Sequence, residues 1–121
     1  MAIQPEIRIR EGVPVVRCTG TIVFGEQTAE LHLYLKELIA DQHRLVLNLR
    51  GVRYLDSAGM GMLIGIYVSA IRDGGHLKLV GLSPKVRRVL KTARLLHLFE
   101  VFEFEEQAVQ ACLAPAGRAP E

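Results

Sequence analysis

Leu45-Val46-Leu47-Asn48-Leu49, then Arg50-Gly51-Val52-Arg53-Tyr54-Leu55, then Asp56-Ser57-Ala58-Gly59-Met60-Gly61, is the stretch from which the fold is read. Its first five residues are a near-continuous apolar run, which suits a central strand covered on both faces. Residues 51–61 follow that strand, and Ser57 opens a helix predicted over residues 57–73. In this helix Met60, Leu63, Ile64, Tyr67, Val68 and Ile71 form the expected inward stripe. Asp73-Gly74-Gly75 stops it, because glycine tolerates the left-handed C-terminal position. A buried strand feeding an apolar helix is the building unit of an open α/β sheet, where functional groups gather at the carboxyl ends of the strands.

Upstream, residues 6–10 alternate polar and apolar, with Ile7 and Ile9 on one face, and predict a half-buried strand. Gly12-Val13-Pro14 supplies a turn, and residues 15–23 give a second strand with Val16, Cys18, Gly20 and Ile22 on one face. So short a connection implies an antiparallel hairpin. Residues 26–41 have the helical period, with Leu31, Tyr34, Leu35, Leu38 and Ile39 on one side. Downstream, residues 77–82 read as another core strand. Ser83 and Pro84 then open a helix, a capping serine before a proline that needs no amide donor, with Val86, Val89, Leu90 and Ala93 inward. Residues 101–104 suggest a short edge strand, and residues 105–113 a last helix with Val109, Cys112 and Leu113 on one side. The expected architecture is therefore a single α/β domain over residues 1–113. Its sheet is mixed but mostly parallel, led by an N-terminal hairpin and flanked by about four helices. Residues 114–121, with Pro115 and Pro120, read as a flexible tail.

Composition narrows the function classes. The chain has 121 residues, half of them apolar and 23% charged, which is one globular domain and excludes a multidomain enzyme, a collagen-like chain or a disordered one. A formal net charge of +2 is too small to argue for nucleic acid. Cys18 and Cys112 form neither a CxxC pair nor a secreted disulfide scaffold, so a reduced, cytoplasmic setting is expected. The first residues hold no apolar signal core. The longest apolar stretch, residues 60–71, falls well short of the ~20 residues that span a bilayer, so no membrane insertion is expected.

Ser57 falls at the expected N-cap of its helix, which by itself is an ordinary structural role. Gly59 and Gly61 shift that reading. Each glycine costs a helix about 1 kcal/mol relative to alanine, so two in one turn call for a packing or contact reason, such as a second molecule approaching the backbone. Catalytic readings fail on their own terms. The segment lacks the first glycine of GxSxG. Gly59, Gly61 and Gly65 give GxGxxxG rather than the dinucleotide fingerprint, and no Gly-Lys-Ser/Thr exists. His32, His43, His76 and His97 show no metal-ligand spacing. The second face of the helix, Ala58, Met62, Gly65, Ile66 and Ser69, is read as a docking patch beside Ser57, with burial under a neighbouring helix as the alternative. Lys85, Arg87, Arg88, Lys91 and Arg94 make the next helix basic, either a solvated face or an attractor of an acidic partner or membrane surface. Glu100, Glu103, Glu105 and Glu106 are expected to balance it, and no aromatic side chain interleaves to suggest nucleic acid. Cys18 is read as core.

The chain resembles a STAS domain, specifically the stand-alone bacterial anti-sigma factor antagonists, over about residues 6–113. The matching pieces are the strand of residues 45–49, the turn Asp56-Ser57-Ala58-Gly59-Met60-Gly61 with its long helix, the strand leading to Ser83-Pro84-Lys85-Val86, and Leu98-Phe99-Glu100-Val101-Phe102. The resemblance implies a non-enzymatic switch. A partner that is both anti-sigma factor and serine kinase binds the unphosphorylated antagonist and releases its sigma factor. Phosphorylation ends the binding, and a serine phosphatase restores it. By motif position Ser57 is the phosphoacceptor, and Asp56, Ser57, Ala58, Gly59, Gly61, Met62 and Ile66 form the partner-binding set. The antagonist needs no cofactor, since the ATP belongs to the kinase. The family commonly carries Gly-x-Leu-Asp after the second strand; here Gly20-Thr21-Ile22-Val23 puts valine at the acidic position. Such domains also resemble non-switching adaptors in lipid-transport ABC systems and stress-signalling assemblies, in which Ser57 would only cap its helix. A small-molecule sensor at the Ser57 turn is a third reading, without an acid–base constellation behind it. Apolar helix faces also leave a homodimer open.

Overall fold

The computed structural model describes residues 5–114; residues 115–121, the bulk of the expected tail, lie outside the described residues. The elements are β1 (Glu6–Arg10), β2 (Val13–Ile22), α1 (Glu26–Gln42), β3 (Arg44–Leu55), α2 (Ser57–Arg72), β4 (His76–Val80), α3 (Pro84–Thr92), a 3-10 turn (Leu96–Leu98), β5 (Glu100–Phe102) and α4 (Glu105–Cys112). The sheet order is β1-β2-β3-β4-β5, with β1 antiparallel to β2 and the other pairs parallel.

β3 is the organising strand, and it is longer than its apolar run. Its first part pairs with both β2 and β4, whereas Gly51, Val52, Tyr54 and Leu55 pair with β2 alone. The strand expected to end at Leu49 therefore runs on to Leu55, and the chain leaves the sheet only at Asp56. This extension carries the start of α2 beyond the end of β4.

Alternation along the strands separates two cores. Val16, Cys18, Ile22, Leu45, Leu47 and Leu49 face α1, α2 and α3. Val13, Val15, Val46 and Val80 face α4 through Ala108, Val109 and Cys112. Cys18 is core, and burial pushes its thiol up to about 12. Ser83 accepts from the Val86 N–H at 3.2 Å with Pro84 at the first helical position, as expected. Ala93 and Leu113, expected inward, are exposed, because each helix ends before them.

Two other expectations are corrected. β1 is exposed along its whole length, with Ile7 at 41% and Ile9 at 61%, because it lies at the sheet edge beyond the cover of either helix layer. The acidic cluster does not balance α3. Glu100 pairs with Lys78, and Glu105 is buried on the opposite sheet face. Its Oε2 accepts from Arg17 Nε and Asn48 Nδ2, both at 2.7 Å. Its Oε1 accepts from Arg17 Nη2 at 2.9 Å and Arg10 Nη1 at 3.3 Å. These contacts, led by Arg17, hold its carboxyl down at about 2. A concavity of about 700 Å³ opens beside this cluster, far in the fold from Ser57, and its Arg10, Arg17, Asn48 and Glu105 lining is already engaged internally.

Candidate functional site at the start of α2

The residue that caps α2 is Asp56, not Ser57. Asp56 keeps an extended backbone, and its Oδ1 accepts from the N–H groups of Ala58 at 2.9 Å and Gly59 at 3.1 Å. Its other oxygen, Oδ2, accepts from the N–H of Phe24 at 2.9 Å, and its own N–H donates to the Ile22 carbonyl at 3.3 Å. One carboxylate thus closes the helix end and ties down the loop between β2 and α1. The Phe24 amide, helped by Gly59 and Ala58, holds this carboxyl below the usual range. At the position where the family commonly has an acid, Val23 contributes through its backbone instead: its carbonyl accepts from the Thr28 hydroxyl.

Ser57 is consequently the first helical residue, and it is exposed. No hydrogen bond ties its hydroxyl to another described residue. The amides that would otherwise receive an anion are occupied: those of Ala58 and Gly59 by Asp56 Oδ1, and that of Met60 by the Asp56 carbonyl at 2.9 Å. A phosphate on Ser57 would therefore meet the positive end of the helix dipole beside a fixed carboxylate, with few free donors to receive it.

The two glycines serve opposite purposes. Gly59 is buried, and a Cβ there would come within 2.4 Å of the Ile22 carbonyl oxygen and 2.9 Å of Leu55 Cβ. It is glycine so that α2 can lie on the end of β2, which corrects the expectation that it admits a partner. Gly61 is exposed, and a Cβ there would meet nothing within 4 Å. Its lack of a side chain has no internal packing reason.

Gly59 also fixes the phase of α2. The buried face is Gly59, Met62, Leu63, Ile66 and Ala70. Met62 and Ile66, expected on the docking patch, are core at 2% and 0% exposure; Val68 and Ile71, expected in the core, are exposed at 42% and 56%. Ala58 and Gly65 are half-buried, Gly65 against His32 of α1. The outward stripe is Ser57, Gly61, Ile64, Val68 and Ile71, at helical spacings of four and three. Phe24, 86% exposed, stands on the loop that Asp56 anchors. On the side of α3, Lys85 Nζ lies over the Tyr54 ring at 5.4 Å. Phe24, Ile64, Val68 and Ile71 were not among the candidate site residues read from the sequence; for the three on α2 the available signal was Gly61, which shares their helix face.

Among the described residues no group of three or more His, Cys, Asp or Glu side chains is placed to hold a metal ion, and no helix is long and apolar enough to cross a membrane. The arrangement provides an exposed hydroxyl, a capped helix start and an apolar strip.

Comparison with known proteins agrees with this geometry. The sequence pattern of the STAS domain matches residues 4–108. The anti-sigma F factor antagonist of Paenibacillus polymyxa is 26% identical over 112 residues, covering 90% of this chain and 94% of that protein. The crystal structure of an anti-sigma factor antagonist from Mycobacterium paratuberculosis superposes with a TM-score of 0.75 at 24% identity, covering 93% of this chain and 95% of the other. The Bacillus cell fate determinant SpoIIAA in its phosphorylated form gives a TM-score of 0.68 at 20% identity, covering 91% and 98%.

Proposed function

Because the chain belongs to the STAS domain family, we propose that it is an anti-sigma factor antagonist, switched by phosphorylation of Ser57. In this reading it binds an anti-sigma factor that is also a serine kinase. That binding frees the sigma factor, phosphorylation ends it, and a serine phosphatase resets the cycle in the cytoplasm. The antagonist binds and is modified; it catalyses nothing. The observation that carries the reading is that Ser57 is exposed and relieved of capping by Asp56, at the head of an apolar stripe. The related antagonist of Paenibacillus polymyxa and the phosphorylated SpoIIAA structure lend it support.

The physics of the switch follows. A phosphate adds about −1.5 to −2 charges at neutral pH. Ser57 points away from the core, so the fold has room for the group. A partner seated on Gly61 and Ile64 would face a bulky dianion beside Asp56, in a contact from which water had been excluded. Repulsion and desolvation then both favour dissociation. Phe24 supplies an exposed aromatic side chain, on a backbone that Asp56 anchors, at the edge of the same surface.

The test is a pull-down from host lysate with wild type and Ser57→Asp side by side, with partners identified by mass spectrometry. Recovery of an ATP-binding serine kinase by wild type alone is expected, with the melting temperatures of the two proteins within about 2 °C. Recovery of the same transporter or scaffold proteins by both would overturn the switch and make this an adaptor.

A further inference from the structure

We infer that the outer face of α3 is a second docking surface, which receives an acidic segment of a protein partner. It lies on a different helix from Ser57 and goes beyond the switch proposed there. Arg87, Lys91 and Arg94, with Leu96 and His97, line a groove of about 580 Å³. Val86 and Leu90 are fully buried, which fixes the basic side of the helix outward. No carboxylate among the described residues pairs with Arg87, Arg88, Lys91 or Arg94. Of the acids that follow α3 in sequence, Glu100 is committed to Lys78 and Glu105 to Arg17 on the opposite sheet face.

Arg94 provides an independent observation. It follows the C-cap of α3 with φ of 62°, the left-handed conformation. Its N–H donates to the Lys91 carbonyl at 3.0 Å, and the Leu95 N–H to the Leu90 carbonyl at 2.8 Å. This is the helix-ending motif in which glycine is strongly preferred, since a Cβ is strained there. The turn would form more easily with glycine, so packing and local geometry do not account for an arginine. Its guanidinium extends the cationic row of Arg87 and Lys91 to the end of the groove.

The composition of the groove selects the occupant. Guanidinium forks bind carboxylates in two-point fashion, and Leu96 gives an apolar floor for the stems of acidic side chains. The patch is short: Glu103 and Gln107 share the next depression with Arg87 and bound it on that side. A long polyanion or a flat anionic membrane would run onto that carboxylate. No Phe, Tyr or Trp ring lines the groove as a base-stacking platform. The apolar side chains of α3 turn inward and offer a bilayer no anchor.

Fluorescence anisotropy with a short fluorescein-labelled Glu/Asp-rich peptide, at low and at physiological salt, tests the inference. Saturable, salt-sensitive binding is expected, weakened at least ~10-fold in R87A/K91A/R94A, whose circular dichroism should match wild type. Arg94→Gly should weaken binding ~3-fold while raising Tm by about 3–6 °C, a pairing that a purely structural arginine would not give. Ser57→Asp should leave the affinity unchanged. Equal binding by the triple variant overturns the inference, as does tighter binding of single-stranded DNA or phosphatidylglycerol vesicles than of the peptide. So does an Arg94→Gly protein with no gain in Tm, or an equal loss of peptide binding in Ser57→Asp.

Discussion

Glu105→Gln isolates what holds α4 to the sheet. The buried carboxylate accepts two bonds from Arg17, one from Asn48 and one from Arg10, contributed by three strands. Glutamine keeps the shape but presents an NH₂ to a neighbourhood made of donors, so at least one contact becomes donor against donor. The carboxyl is lowered from an ordinary 4.5 to about 2, which corresponds to roughly 3 kcal/mol favouring the folded, ionised state. Arg17 and Arg10 are 38% and 45% exposed, so screening reduces this to about 2 kcal/mol. A lowered pKa gives stability that is complete above the unfolded value and is lost as pH falls towards the folded one. The gap between wild type and Glu105→Gln should therefore be full at pH 7, narrow below about pH 5 and close near pH 2. Urea denaturation followed by circular dichroism at several pH values measures it, and other carboxylates cancel in the difference. A gap that stays constant down to pH 2, or is absent at pH 7, refutes the assignment of this charge as the clamp.

The remaining predictions concern the start of α2. Gly59→Ala places a methyl group against the Ile22 carbonyl and Leu55 Cβ, neither of which can move cheaply, and should destabilise by about 3 kcal/mol in chemical denaturation. Gly61→Ala meets open space and should stabilise by about 0.5–1 kcal/mol, whereas a bulkier Gly61→Gln should fold normally and lose the partner in a pull-down. Asp56→Ala removes two capping bonds and the tie to Phe24 and should cost about 2 kcal/mol, much of it recovered by Asn. Faster amide exchange at Phe24 in Asp56→Ala would verify that the same carboxylate orders the loop.

The order of elements was legible because its signals are local. The runs of β2 and β3, the period of α1 and the Ser83-Pro84 start of α3 need only neighbouring residues to be read. The phase of α2 was not legible, because that helix is apolar nearly all round and both Met62/Ile66 and Val68/Ile71 fit a buried stripe. What separates them is the seat of Gly59 on the Ile22 carbonyl, a contact between segments distant in sequence. Glu105 was opaque for the same reason: a glutamate in a run of glutamates reads as surface until Arg17, Arg10 and Asn48 converge on it.

The cap of α2 was misplaced by one residue, and the reason bears on the switch. Asp56 and Ser57 are both good capping residues, and adjacent candidates cannot be ranked by preference alone. The aspartate takes the position because its second oxygen also reaches the Phe24 amide, a tie that the single oxygen of a serine could not make in addition to capping. Had Ser57 been the cap, phosphorylation would have pulled its oxygen from the backbone amides and loosened the helix together with any docking surface on it. With Asp56 in that role, a change at Ser57 leaves the bonds to Ala58, Gly59 and Phe24 in place. The stripe through Gly61 and Ile64 then keeps its shape in both states, and only the charge presented to a partner differs. A phosphatase can act on such a site without the domain refolding, so the proposed cycle needs no change of fold.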